Sequence, residues 1–226
     1  MASLLLAVIY LAFIGLGLPD SLLGSGWPVM HTELGAPISA MGLVSMIIAA
    51  GTVVSSLASD FLTRKLGTGL VTFISVLMTA GAMLGFSFAG DFWVLCIIAV
   101  PYGLGAGGVD AALNNYVALH YKSRHMSWLH CFWGMGALIS PFIMSAAITG
   151  GAGWQGGYSL VSYVQFGLGA VLLFSLPLWK KRAAPEAGGG KPLTLPQTLR
   201  LRGVVFILVA FFCYSAVEAT AMQWAS

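Results

Sequence analysis

Asp110 stands inside an apolar stretch, in Gly103-Leu-Gly105-Ala-Gly107-Gly108-Val-Asp110-Ala-Ala-Leu-Asn114-Asn115. Asn114 follows at i+4 on the same helical face, and Tyr102 and Ala106 continue that face in the other direction. Asn115 is turned away by about 100°. A carboxylate in lipid costs at least about 2.5 kcal/mol, so it faces a cavity or a partner. With no permanent cation beside it, such a carboxyl suits the carriage of a coupling proton or the binding of a polar solute. A structural hydrogen bond to Asn or His is the other reading. Glu218 sits in a second apolar stretch and raises the same question. Asp20 follows Gly15-Leu-Gly17-Leu-Pro19 and reads either as an interfacial loop residue or as a membrane acid. His130, with Trp133 at i+3, is a candidate proton relay or a structural histidine. Gln165 and Trp27 are candidate solute contacts, and Trp27 reads equally as an interfacial anchor.

The elements that carry these groups follow from composition. Of 226 residues, 58% are hydrophobic and 8% are charged. Mean hydropathy is +0.91. A soluble domain carries about 25% charged residues. Soluble globular enzymes, disordered tails and nucleic-acid-binding modules are therefore excluded. The expected class is an all-α polytopic membrane protein. Seven apolar segments are long enough to cross, near 3–24, 38–59, 69–89, 92–119, 126–149, 157–179 and 203–226. Small residues such as Gly103, Gly107, Gly134 and Gly136 permit close helix contacts. Pro101 and Pro141 are expected kink points.

All ten Lys and Arg residues lie in alternate loops: Arg64 and Lys65, then Lys122 and Arg124, then six between 180 and 202. The intervening loops carry Glu33 and Asp91 instead. The positive-inside rule places the N-terminus in the cytoplasm and the C-terminus outside, in a plasma or inner membrane. The +3 net charge is thus a topology signal. The expected organisation is a six-helix unit (1–179), a basic cytoplasmic linker (180–202) and a seventh helix (203–226).

Chemistry of other kinds finds little support. Cys96, Cys131 and Cys213 are separate and embedded in apolar runs, so neither a disulfide frame nor a zinc site is suggested. His120, His125 and His130 are spaced by five across a loop, a poor metal-ligand geometry. No metal and no cofactor are expected. Gly107-Gly108-Val109-Asp110 departs from the Gly-x-Gly-Asp of intramembrane aspartyl proteases. Leu23-Gly24-Ser25-Gly26 departs from the rhomboid Gly-x-Ser-Gly. No enzyme activity is expected.

The loop Ser59-Asp60-Phe61-Leu-Thr-Arg64-Lys65-Leu-Gly67 resembles the signature loop between the second and third helices of the major facilitator superfamily. Phe61 stands where that signature has Arg. The resemblance gives Asp60, and with it Arg64, Lys65 and Gly67, a role in conformational switching. The Asp110 segment and Leu129-His130-Cys-Phe132-Trp133-Gly134 are similar to the fucose/glucose-galactose sugar–proton symporter branch. There, acids on the first and fourth helices serve sugar binding and proton coupling, which implies Asp20 and Asp110. Tyr214-Ser-Ala-Val-Glu218 with Trp224 resembles the start of that family's second half. Ser140-Pro141-Phe-Ile-Met144 departs from the antiporter motif. The resemblance implies proton-coupled symport of a small polar solute, with a sugar as one candidate, by alternating access.

Family members have twelve helices, whose two halves enclose the solute. Seven helices are expected to need a second half, or a second copy in parallel orientation forming a homodimer. The alternative expectation is a non-transporting half that acts as an assembly or regulatory partner, or a truncation product.

Overall fold

The structure is a computed structural model that describes residues 2–179 and 195–224. The remainder of the predicted linker, with Lys180, Lys181, Arg182 and Lys191, lies outside the described residues. So does the side chain of Trp224. The described residues are all-helical: α1 (Ala2–Asp20), α2 (Leu22–Glu33), α3 (Met41–Leu66), α4 (Thr68–Ser87), α5 (Phe92–His120), α6 (Ser123–Thr149), α7 (Gly153–Trp179), α8 (Leu195–Leu199) and α9 (Val204–Trp224). They supply seven helical spans long and apolar enough to cross a membrane. Apolar runs of this length must close every backbone hydrogen bond internally, which a helix does.

The first span corrects the sequence expectation. It runs over Leu4–Glu33, not to residue 24. Gly24, Gly26 and Pro28 look like helix breakers, yet α2 continues through them. Ser25 Oγ donates to the Ser21 carbonyl at 2.7 Å. The interruption falls at Ser21, between α1 and α2. Asp20 therefore lies near the middle of the first span, and the interfacial-loop reading is wrong. Trp27, expected after the span, is inside it and 2% exposed.

Pro19 explains a second feature. It has no N–H to give the carbonyl of Gly15, four residues back. Gln165 of α7 supplies the missing donor, with Nε2–H reaching the Gly15 oxygen at 2.6 Å. Both groups are buried, so an unpaired carbonyl here would cost about 1–3 kcal/mol.

The first six spans pack chiefly as α1 on α6, α3 on α5, α4 on α7 and α4 on α5. The first three of these pairings map onto themselves when spans one to three are exchanged with spans four to six. That is the pattern of an internal repeat. Two pairings rest on bare backbone. A Cβ on Gly17 would strike the Trp133 carbonyl, and one on Gly136 the Ile14 carbonyl, across α1 and α6. Across α3 and α5, Gly103 meets the Ile48 carbonyl and Gly107 the Thr52 carbonyl in the same way. Helices in lipid gain their cohesion from such approach. Gly134, expected to join this set, has open space where its Cβ would be. Helices α5 and α6 run through Pro101 and Pro141 without interruption.

Two apolar clusters fill the bundle. One gathers Leu22, Trp27, Met30, Phe86, Trp154 and Tyr158. The other gathers Ile9, Phe13, Val109, Leu113, Leu129 and Trp179 toward the basic-loop end. Helix α9 stands apart: between residues 205 and 221 only Ser215 and Glu218, three apart on one face, escape full exposure.

A carboxylate-centred cavity in the bundle

Asp20 ends α1, where the helix interruption releases its side chain toward the bundle interior. Its Oδ1 accepts from the Tyr102 hydroxyl of α5 at 3.1 Å. Its Oδ2 accepts from the Trp133 indole N–H of α6 at 2.8 Å. Three helices thus converge on one carboxylate. It borders a cavity of about 300 Å³, walled by Phe86, Tyr102, Trp133 and Tyr158. Ser45 of α3 adds a hydroxyl to the wall, and Ser215 and Glu218 of α9 close one side. Glu218 Oε1 accepts from the Tyr214 hydroxyl at 2.9 Å. Two acids, aromatic faces and hydroxyls surround this space, and among the described residues no Lys or Arg lines it.

Asp110 occupies a different place. It lies eight residues beyond Tyr102 on α5, about 12 Å along the axis at 1.5 Å per residue. Its Oδ1 accepts from Asn114 Nδ2 at 2.8 Å, and Asn114 Nδ2 also reaches the Asp110 carbonyl at 3.0 Å. Asp110 is not part of the Asp20 cavity wall. His130 is exposed on α6, and its Nδ1 lies 3.0 Å from the Met126 carbonyl. His130 is near enough to Asp110 to act on it electrostatically. The Asp110 level is therefore a second polar layer, nearer the basic-loop end.

The other candidates divide between structure and the basic-loop face. Gln165 gives its amide to Gly15, as described. Trp27 donates from Nε1 to the Ile38 carbonyl at 2.7 Å and packs against Phe92. Neither lines the cavity. Asn115 instead lines a separate hollow of about 650 Å³, together with Asp60, Arg64, Gly67, His120 and Trp179. There Asp60 and Arg64 form an i,i+4 ion pair at 2.6 Å, with both side chains exposed. Lys65 Nζ sits 5.9 Å from the centre of the Phe61 ring. Phe61, at the position where the signature carries Arg, thus gives Lys65 a cation–π partner. Gly67 turns from α3 into α4 at φ +84°, a conformation that a Cβ would strain.

Sequence reading missed Trp133 and Tyr158 as wall residues. Trp133 was visible only as the i+3 neighbour of His130. Tyr158 carried no local signal, because its polar neighbours come from other helices. Among the described residues no group of three His, Cys, Asp or Glu could hold a metal ion.

A helical bundle with seven helical spans apolar enough to cross a membrane and a carboxylate-bordered cavity defines a polytopic membrane-protein fold. The chain belongs to the Major Facilitator Superfamily, whose family profile matches residues 9–226. It is 27% identical over 135 residues to the sodium-dependent glucose transporter 1 of Danio rerio, covering 58% of this chain and 23% of that protein. It is 24% identical over 195 residues to the protein TsgA homolog of Serratia proteamaculans, covering 83% of this chain and 48% of the relative. The quinolone resistance protein NorA of Staphylococcus aureus is 27% identical over 139 residues, with 60% and 35% covered. A crystal structure of the peptide transporter POT, a glutamate-to-glutamine variant in complex with sulfate, superposes with a TM-score of 0.65. That match has 17% identity and covers 95% of this chain and 45% of the other. The chain thus spans less than half the length of these relatives.

Proposed function

We propose that this chain is one half of a proton-coupled symporter for a small polar solute, with a sugar as the leading candidate. The observation that carries the reading is the Asp20 carboxylate, near the middle of the first span and held by Tyr102 and Trp133 on the wall of a cavity shared with Glu218. Aromatic faces with a few convergent polar groups suit a polyhydroxylated ligand. The likeness to a glucose transporter supports the same class. Asp20 and Glu218 receive solute or proton at the cavity, with Trp133 and Tyr102 positioning Asp20. Asp110, Asn114 and His130 form the proton layer toward the cytoplasm. Asp60, Arg64, Lys65 and Gly67 switch conformation at the cytoplasmic face.

The functional units are residues 1–179 and 203–226, joined by the 180–202 linker. The chain lies in the cell membrane with its N-terminus cytoplasmic and its C-terminus outside, as the distribution of basic residues supports. The second wall of the solute path comes from a second copy in parallel orientation or from further chain. The open faces of α9 support this arrangement.

The test is uptake of labelled hexoses into proteoliposomes under a pH gradient, a sodium gradient or neither. Acceleration by the pH gradient alone is expected. Acceleration by sodium alone replaces the proton with sodium. No hexose uptake under any gradient, in a preparation shown by crosslinking to contain dimers, overturns the reading.

A further inference from the structure

Tyr158 lies on α7 and is 1% exposed, yet its hydroxyl has no hydrogen-bond partner among the described residues. The ring is well held: it meets Phe86 edge-on at 5.4 Å and Trp154 at 6.1 Å. Phenylalanine would keep both contacts. A buried hydroxyl left unpaired costs about 1–3 kcal/mol, so its position calls for a partner that comes and goes. Tyr158 lines the Asp20 cavity and lies within electrostatic reach of Tyr102, whose own hydroxyl is engaged by Asp20.

We infer that the Tyr158 hydroxyl is a solute-binding and specificity-determining group, which bonds one hydroxyl of a polyol held between it and Asp20. The chemistry of the wall selects that class. The Tyr158 proton needs an acceptor, while the carboxylates of Asp20 and Glu218 accept donors. A ligand hydroxyl offers both on one atom. An ammonium group offers donors only and leaves the Tyr158 proton unpaired. An anion is repelled by two acids, with no cation on the wall among the described residues. The inference rests on the solute-transport reading above and goes beyond it in assigning one residue to one ligand group.

The experiment compares wild type with Tyr158→Phe for uptake of D-glucose, D-galactose and their mono-deoxy derivatives in proteoliposomes. A site built to bond a hydroxyl discriminates against the analogue that lacks it. In wild type, one deoxy position is expected to lower kcat/KM by about tenfold relative to the parent sugar, as a lost hydrogen bond does. In Tyr158→Phe the parent sugar loses about tenfold, while that same deoxy sugar is carried equally well by both proteins, the non-additivity of a direct contact. The thermal unfolding midpoint of the variant is expected to hold or rise, because only an unpaired hydroxyl is removed. Equal handling of every sugar by the two proteins overturns the inference and leaves the transport reading intact. A fall in the midpoint with all sugars reduced alike also overturns it, as a structural role. If wild type carries none of these sugars under any gradient, both readings fall together.

Discussion

Asp20 and Asp110 are both acids inside apolar helices, but the bundle treats them differently. Asp20 is tied by two donors from two other helices, so its geometry depends on the relative placement of α1, α5 and α6. Asp110 is bonded by Asn114 one turn along its own helix, and that pair would persist wherever α5 moved. A group whose partners lie on other helices reports on helix movement. A group satisfied locally can change its protonation without reference to the packing around it. Under the proposed function the contrast corresponds to two tasks on two helices: sensing the solute and helix arrangement at Asp20, and holding a charge or proton at Asp110.

The contrast is broken most sharply at Asp20. Replacing Asp20 with Asn keeps one acceptor oxygen and removes the charge, so one of the Tyr102 and Trp133 donors loses its partner. Hydrogen bonds to charged groups are worth about 1.5–3 kcal/mol, so hexose uptake is expected to fall about tenfold to a hundredfold under every gradient. Initial-rate uptake in proteoliposomes checks this. Asp110→Asn retains the hydrogen bond from Asn114 and should remove the acceleration by a pH gradient while sparing uptake without one. The same assay at matched and unmatched pH reads that outcome, and unchanged proton coupling removes Asp110 from the mechanism. Gln165→Leu leaves the Gly15 carbonyl unpaired beside Pro19. A stability loss of about 1–3 kcal/mol is expected, seen as a lower unfolding midpoint in detergent with the order of sugar preference unchanged. The smallest effect belongs to the exposed Asp60–Arg64 pair, worth at most about 1 kcal/mol. Asp60→Asn should leave the unfolding midpoint nearly unmoved, and a switching role would appear only in the transport rate.

Much of the bundle was legible in the sequence, because long apolar runs with basic residues confined to alternate loops leave few arrangements open. Boundaries were legible at the start of α5 beside Asp91 and at the end of α6 before Gly150-Gly151, but the second span, expected to end at 59, continues as helix through Arg64 and Lys65 to Leu66. They were misleading where glycine and proline occur within a helix, as at Gly24, Gly26 and Pro28, and the depth of Asp20 was left open between an interfacial and a membrane position. The local pair of Asp110 with Asn114 was readable from i+4 spacing alone. The partners of Asp20 were not, because Tyr102 and Trp133 are brought to it by helix packing across 82 and 113 residues of chain. Gln165 shows the same limit from the other side. The vacancy that Pro19 makes at Gly15 is a local rule of proline, but the group that fills it comes from α7.

The most direct measurement of the division between the two acids is counterflow exchange of labelled hexose in proteoliposomes, run side by side for Asp20→Asn and Asp110→Asn. Exchange needs the solute site and the helix movement but no net proton transfer. Exchange lost in Asp20→Asn and retained in Asp110→Asn is the predicted result. Exchange retained in Asp20→Asn and lost in Asp110→Asn would contradict the account.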